Sequence, residues 1–453
     1  MPDSIRAKPA TAGQSGAAWP AAARLIARWL DRRERVDVLF TSLGGSLSGT
    51  ARARCQHLVF GVMRHFGRLE ADLGRLVSHP PRFPTRAVLF VAGFELIEAI
   101  NEPAADGRAA KIVHHAVEQA KHLASPAEAK LVNAVVRKLA GAPTPLVPAK
   151  LADADTLAEY YSHPAWLVRR WLTQFGAEPT RRLLEWNQQP APAYARWRPA
   201  AAGKPAPRPD WLKPTVWAGY FEVPSGRWSD VEPLLKTGQL YLQDPGMRLA
   251  TELLAPKAGE TVLDACAAPG GKSLLIADAL QAGMPAGTMA SAGRIVALDL
   301  PGARIDRLKE NLARVTGVDV ALVQADLLRD GYKLLDEHGL PTEFAAVLID
   351  VPCSNTGVMR HRVDVKWRLQ EGVFRKHAAQ QLALLHAAAR LVAPGGRIVY
   401  STCSIDAEEN ERVIKAFFDS RAGSPFKREA SVLSYPWESG HDGAGVFCLR
   451  RQG

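Results

Sequence analysis

The sequence predicts an α/β domain built on a parallel sheet, preceded by an all-α helical bundle and a small connecting α+β domain. Three observations carry this. From about Gln239 onward, short β-branched runs alternate with helical segments, the pattern of strands joined by crossover helices. From Trp19 to about Ala140, apolar residues recur every three and four positions, as in helices with one buried face. Between Gly141 and about Lys236, proline-bearing stretches separate a helical pair from short alternating strands.

At 453 residues the chain is longer than one core usually allows. The division expected is a disordered lead over 1–18, a helical domain over 19–142, a linker and connecting domain over 143–236, and the sheet domain over 237–453. Hydrophobic residues are 47% and charged residues 23%, ordinary for a protein that buries a core. No apolar run approaches the roughly 18 residues a membrane span needs, and MPDSIRAKPATAGQSGAAWP lacks the apolar centre of a signal peptide. The net charge of +11 favours a polyanionic partner, nucleic acid first, although a generally basic enzyme has the same balance. Five cysteines, an odd number without a signal segment, point to a reducing, cytoplasmic compartment. No Cys/His spacing suggests a metal site.

In chain order, RLIARWLDRR, CQHLVFGVMRHFGRLEADLGRLV, RAVLFVAGFELIEAI, KIVHHAVEQAKHL and AKLVNAVVRKL give a bundle of five to seven helices. Ser125 is an N-cap candidate, with Pro126 first in the helix and Glu128 third. Arg24, Arg28, Arg32, Arg33, Arg35, Arg52 and Arg54 suit either a polyanion or a solvated helix face. APTPLVPAK is a linker, and HPAWLVRRWLTQFG with EPTRRLLEWNQ a helical pair. Trp166, Trp171 and Trp186 interleave with arginines, which suits stacking on unpaired bases, but tryptophans at helical spacing equally suit a core. AGKPAPRP breaks regularity, and PTVWAGYFEVPSGRW alternates as short strands do. The strand candidates of the last domain are TVLDA, RIVALDL, VALVQADL, FAAVLIDV and GRIVYSTC, with AGVFCLRR closing the chain. GMPAGTMASAG, 283–293, is a longer loop before the second of them.

The chemistry gathers at the carboxyl ends of these strands, where open α/β sheets hold ligands. TVLDACAAPGGKSLL is a strand, a tight turn and a helix start, so the loop Cys266, Ala267, Ala268, Pro269, Gly270, Gly271 and Lys272 has free N–H groups to offer a ligand, although an ordinary strand-to-helix turn with no ligand has the same local pattern. It has neither the GxxxxGK[ST] nor the GxGxxG order of phosphate loops. Asp264, Asp299, Asp326, Asp350 with Cys353, and Cys403 end successive strands and converge on one rim. Asp299 suits a ribose diol, a feature an NAD site shares, and Asp326 an adenine edge or amine; each acid equally suits capping the next helix. Cys353 and Cys403 suit buried small residues, the usual place of a free cysteine, but they lie among polar, turn-forming residues, where Lys272 or a helix N-terminus nearby would lower a thiol pKa and make a nucleophile.

Together DACAAPGGKS, ALDL, QADLL, DVPCSNTGV, VDVKW and YSTCSIDAEENE resemble the RNA cytosine-5 methyltransferases of the NOL1/NOP2/Sun family, over about 240–453, and Gln243-Asp244-Pro245 fits as well. FELIEAI, HHAVEQAKHL and KLVNAVVRKLA look like the NusB family of helical RNA-binding domains, over the first 140 residues or so. The resemblance implies a Rossmann-like sheet that binds S-adenosyl-L-methionine along Cys266–Lys272, with Asp299 on the ribose, Asp326 near the adenine, and Asp350 also at the site. It implies a 5-methylcytosine-forming enzyme in which Cys403 attacks the base, Cys353 assists release and Asp350 bonds the cytosine edge. The implied partner is RNA, 16S rRNA before tRNA, with a monomer expected; the alternative from another class is a non-catalytic RNA-binding or antitermination factor. Two departures stand out: PCSNTG has Asn355 where the family has glycine, and RHRV at 360–363 replaces the usual RHP run. If that glycine needs positive φ, asparagine is the least costly replacement.

Overall fold

The computed structural model describes residues 12–45, 47–101, 107–143, 146–149, 152–198, 207–284, 291–329 and 331–453. The expected lead up to residue 11, most of AGKPAPRP and the centre of the loop at 283–293 lie outside them. The chain divides into two compact units, Met1–Pro190 with Met359–Leu369, and Ala191–Val358 with Gln370–Gly453.

The first unit is helical: α1 (Ala12–Arg32), α2 (Val36–Thr41), α3 (Gly49–Leu76), α4 (Phe83–Asn101), α5 (Arg108–Leu123), α6 (Pro126–Ala140), α7 (Ala154–Tyr160), α8 (Ala165–Phe175) and α9 (Ala177–Gln188). Helix α1 begins at Ala12, so residues 12–18, expected in the disordered lead, are helical; Ala18 and Trp19 are buried and anchor the helix, and alanine carries it backward at little cost. Ser125 caps α6 as expected, accepting from Glu128 N at 3.2 Å and donating to Glu128 Oε2 at 2.8 Å, with Pro126 at the first position. The core holds Ile26, Trp29, Leu58, Phe66, Phe90 and Val132.

Much of the basic cluster answers to acids of its own unit. Arg28 pairs with Glu34 at 2.6 Å, Arg35 with Asp37 at 2.7 Å and Arg54 with Glu95 at 2.7 Å, while the Arg33 guanidinium lies 4.2 Å from the centre of the Trp29 ring. Trp171 is fully buried and therefore core. The helical pair expected in a separate connecting domain belongs to this unit instead: Gly67 N donates to Ser162 Oγ at 2.7 Å, and Gln188 Nε2 to the Arg64 carbonyl at 3.3 Å.

VDVKW, expected with the sheet, also folds into the helical unit. Val363 is 1% exposed in the helical core, Lys366 Nζ donates to Arg64 O at 2.9 Å, and Trp367 Nε1 donates to Met63 O at 2.6 Å. A run so apolar and so charged gains from burial only where carbonyls at a helix surface accept its N–H groups.

The second unit contains a small antiparallel sheet of β1 (Tyr194–Trp197), β2 (Lys213–Pro214), β3 (Tyr220–Glu222) and, after helix α10 (Trp228–Lys236), β4 (Leu240–Leu242), in the order β2-β3-β1-β4. Arg198, just after β1, pairs with Asp278 at 2.8 Å, so this sheet is built onto the larger domain rather than separate from it. That domain alternates α11 (Arg248–Leu254), β5 (Thr261–Ala265), α12 (Gly271–Ala282), β6 (Arg294–Asp299), α13 (Ile305–Leu312), β7 (Asp319–Gln324), α14 (Gly331–Glu337), β8 (Phe344–Asp350) and β9 (Val392–Thr402), followed by β10 (Phe426–Ser434) and β11 (Ala444–Arg451).

The strand order is β10-β11-β9-β8-β5-β6-β7. Strands β9, β8, β5, β6 and β7 are parallel, whereas β11 runs antiparallel to β9 and β10 antiparallel to β11. The expected sheet is thus parallel in its Rossmann-like part and gains an antiparallel edge. Strand β10 carries KREAS on an exposed edge, where no core face imposes alternation, so periodicity does not reveal it. Along the central strands successive residues go to opposite cores: Leu263, Val296 and Val347 to one face, Val262, Ile295 and Ala346 to the other. Helices cover both faces, as near-continuous apolar strands require.

Trp29 is fully buried and meets Phe66 edge-on at 5.0 Å. Trp29→Ala is expected to lower the stability of the helical unit by about 3–5 kcal/mol, read as an earlier urea transition in far-ultraviolet circular dichroism.

Candidate active site

From β5 the chain runs to β6 and β7 on one side and later to β8 and β9 on the other, so the sheet order reverses between β5 and β8. That point is where an open sheet leaves a crevice beyond its strand ends. Asp264 at the end of β5 is fully buried, accepts from Ser273 Oγ at 2.6 Å, and is pushed up to about 7 by burial. Its second oxygen, Oδ1, has no hydrogen-bond partner among the described residues.

The loop after β5 turns tightly. Gly270 has φ +103°, and a Cβ there would lie 3.0 Å from Asn311 Cβ, so only glycine fits between the loop and α13. Asn311 Nδ2 donates to Pro269 O at 2.7 Å, and Gln243 Nε2 to Gly271 O at 3.1 Å, which fixes the start of α12 from two sides. Asp299 is buried at the end of β6, where it accepts from Ala268 N at 2.8 Å and pairs with Arg304 at 3.2 Å. Asp326 accepts from Leu328 N at 2.9 Å, the turn-capping role open to it from sequence. Burial, with Asp299 close by, pushes the Cys266 thiol up, so that sulfur is no nucleophile.

Lys272 does not serve a thiol. Its ammonium sits 2.6 Å from Asp350 Oδ2, because the first turn of α12 faces the end of the neighbouring strand β8. The pair places a cation and a carboxylate across the switch point.

Cys353 and Cys403, fifty residues apart, meet with sulfurs 3.2 Å apart. Cys353 is buried, and Cys403 is partly exposed. The expectation of a lowered thiol pKa fails for Cys353: its hydrogen bond with Cys403, then burial, then the charge of Glu409 push it well up, so it stays a thiol. Asn355 has φ +63°, as a replacement for a positive-φ glycine requires. Its Nδ2 donates to Cys353 O at 2.8 Å, and its Oδ1 lies 3.2 Å from Cys403 Sγ.

What brings the sulfurs together is a buried polar network that sequence reasoning did not single out. Glu409 is fully buried and accepts from Ser354 N at 2.8 Å, from Ser354 Oγ, and from Gln381 Nε2 at 3.2 Å. Thr356 Oγ1 donates to Asp406 Oδ2 at 2.6 Å, and Gly357 N to Cys403 O at 3.0 Å. Thr402 Oγ1 donates to Asn410 Oδ1 at 2.8 Å, and Asn410 Nδ2 to Ser404 O at 2.9 Å. The signal was the run DAEENE directly behind Cys403; Gln381, in the middle of the helix Val373–Ala389, gave none.

Comparison with known proteins gives the family of the chain. A sequence model of the family described as "16S rRNA methyltransferase RsmB/F" matches residues 251–431, and one of the NusB family matches 19–141. A ribosomal RNA small subunit methyltransferase B of Sodalis glossinidius is 31% identical over 417 residues, covering 87% of this chain and 88% of the relative. A probable ribosomal RNA small subunit methyltransferase B of Bacillus subtilis is 29% identical over 437 residues, covering 90% of this chain and 92% of the relative. Among solved structures, that of PH0851 shares the fold with a TM-score of 0.73 at 21% identity, covering 96% of this chain and 99% of that one. With a NusB helical region followed by the sheet domain, and with that identity along most of both chains, the protein belongs to the ribosomal RNA small subunit methyltransferase B family, a family of RNA methyltransferases.

Proposed function

We propose that this protein transfers a methyl group from S-adenosyl-L-methionine to C5 of a cytosine in small-subunit (16S) ribosomal RNA, with Cys403 as nucleophile, Cys353 assisting release and Asp350 holding the base edge. The observation that carries the reading is the approach of two thiols to 3.2 Å on loops that follow neighbouring strands of the switch-point sheet.

The residues present fit such a donor. The unpartnered buried oxygen of Asp264 suits an ammonium group, and the N–H groups of the first turn of α12, which starts at Gly271, suit a carboxylate. Cys266–Lys272 would line it, with Asp299 for the ribose and Asp326 for the adenine. When bound, the donor supplies an electrophilic methyl group. The chain's own residues supply the rest. C5 of cytosine is too weak a nucleophile unaided, so Cys403, its thiol proton passed to solvent water, adds its sulfur to C6, and the electron pair of the C5–C6 double bond moves onto C5 and, through C4, onto N3. The base is drawn out of its stack for this to happen. Asp350, held by Lys272, accepts from the exocyclic amine and orients the base, while the Lys272 ammonium beside it offsets the charge added to the ring. After methylation the C5 proton passes to solvent water, the C5–H pair restores the C5–C6 double bond, and the C6–S bond breaks with its pair leaving on the Cys403 sulfur; Cys353, kept as a thiol, stands ready to give that sulfur a proton.

Methyl transfer from labelled donor to small-subunit RNA tests the reading, with bisulfite-resistant cytosines locating the product. Cys403→Ala is expected to reduce transfer to background; transfer that persists removes the nucleophile. Cys353→Ala is expected to accumulate a covalent RNA adduct, seen as a band that survives denaturant, and absence of the band removes the release role.

A pH dependence follows from Asp264. An unfolded aspartate titrates near 3.9, whereas the folded carboxyl is pushed up to about 7. Between these values the folded state keeps a proton that the unfolded state has lost, so this group's contribution to stability falls as pH rises through the interval. Asp264→Asn removes the dependence: the thermal midpoint of the variant relative to the parent is expected to rise steadily from about pH 4 to about pH 7.

A further inference from the structure

Residue 355 must adopt a left-handed backbone, φ +63°, and its carbonyl closes the turn by accepting from Val358 N at 3.2 Å. Glycine meets that demand without cost, so the turn alone does not account for a carboxamide here. What the side chain adds is two contacts, one to each cysteine of the site. Nδ2 donates to the Cys353 carbonyl at 2.8 Å, and Oδ1 faces Cys403 Sγ at 3.2 Å. Turning the amide over would set two acceptors, Oδ1 and Cys353 O, against each other, so the network fixes its orientation. Oδ1 is an acceptor only. It takes a hydrogen from an S–H group and repels a sulfur that has lost its hydrogen.

We propose that Asn355 is a positioning residue for Cys403: pinned to the Cys353 carbonyl through its nitrogen, it holds the Cys403 thiol hydrogen with its oxygen, keeping the sulfur aimed and protected until substrate displaces that contact. This rests on the reading of Cys403 as the nucleophile. Cys353 supplies the second contact on the same sulfur, so Cys403 is held from two sides in the resting protein. Asn355 and Cys403 are both partly exposed, so a ligand entering the site can reach the contact.

The test labels Cys403 with iodoacetamide in the full-length protein near neutral pH, without RNA or methyl donor, and reads the labelled peptide by mass. Asn355→Gly keeps the turn and removes the oxygen, and labelling is expected to speed up by about three- to tenfold, the weight of one modest hydrogen bond. Asn355→Asp keeps the size and tolerates the left-handed backbone; it gives up the bond to the Cys353 carbonyl but puts negative charge beside the sulfur, so labelling is expected to slow by a comparable factor. Opposite movements are the expected result, since a residue that merely braced the loop would move both variants the same way. An Asn355→Gly rate equal to the parent's, or both variants moving together, overturns the proposal. Because labelling needs neither RNA nor donor, it is separate from the functional reading: methyl transfer surviving Cys403→Ala would remove the nucleophile while leaving the labelling result intact.

Discussion

The site depends on a carboxylate kept out of water. Glu409 lies behind the two cysteine loops, and burial pushes its carboxyl up. A buried carboxylate costs free energy unless its oxygens are satisfied, and here Ser354 and Gln381 satisfy them while Tyr400 OH donates to its backbone carbonyl at 2.6 Å. Removing any one partner strands the others, so the loop bearing Cys353 and the segment following Cys403 have one mutually consistent arrangement. That arrangement sets the sulfurs 3.2 Å apart, within reach of the hydrogen bond between them.

The second constraint is the reversal of strand order. It makes β5 and β8 neighbours, and with them Lys272 and Asp350, which are far apart along the chain. The glycine loop, the acids at the ends of β5 and β6, and the cysteines therefore share one rim. Close packing of Gly270 against α13 and of Gln243 against Gly271 holds the helix start still. The 251–431 match to the RsmB/F methyltransferases spans the loop, all four strand-end acids and both cysteines.

Much of this was legible in the residues. The strand runs, the loop at 266–272, the convergence of strand ends and the left-handed backbone at Asn355 all follow from local rules, because side-chain alternation and the φ tolerance of glycine and asparagine are properties of short segments. Other features were not legible. The edge strand β10 faces water and has no pattern to betray it, and α1 reaches back to Ala12 through a stretch with no apolar period. VDVKW and the helices α7–α9 carry no mark of the unit they join, since that is decided by the carbonyls and apolar faces that α3 offers them.

The sequence by itself determined which residues stand at strand ends and which turns they sit in, for backbone preference and hydrophobic period act over a few residues. Only the tertiary structure decided which of them meet: that Lys272 answers Asp350 rather than a thiol, that Cys353 stays protonated against Cys403, and that Glu409 ties the loops. Such pairings turn on distance and on exclusion of water, and neither exists until the chain has packed.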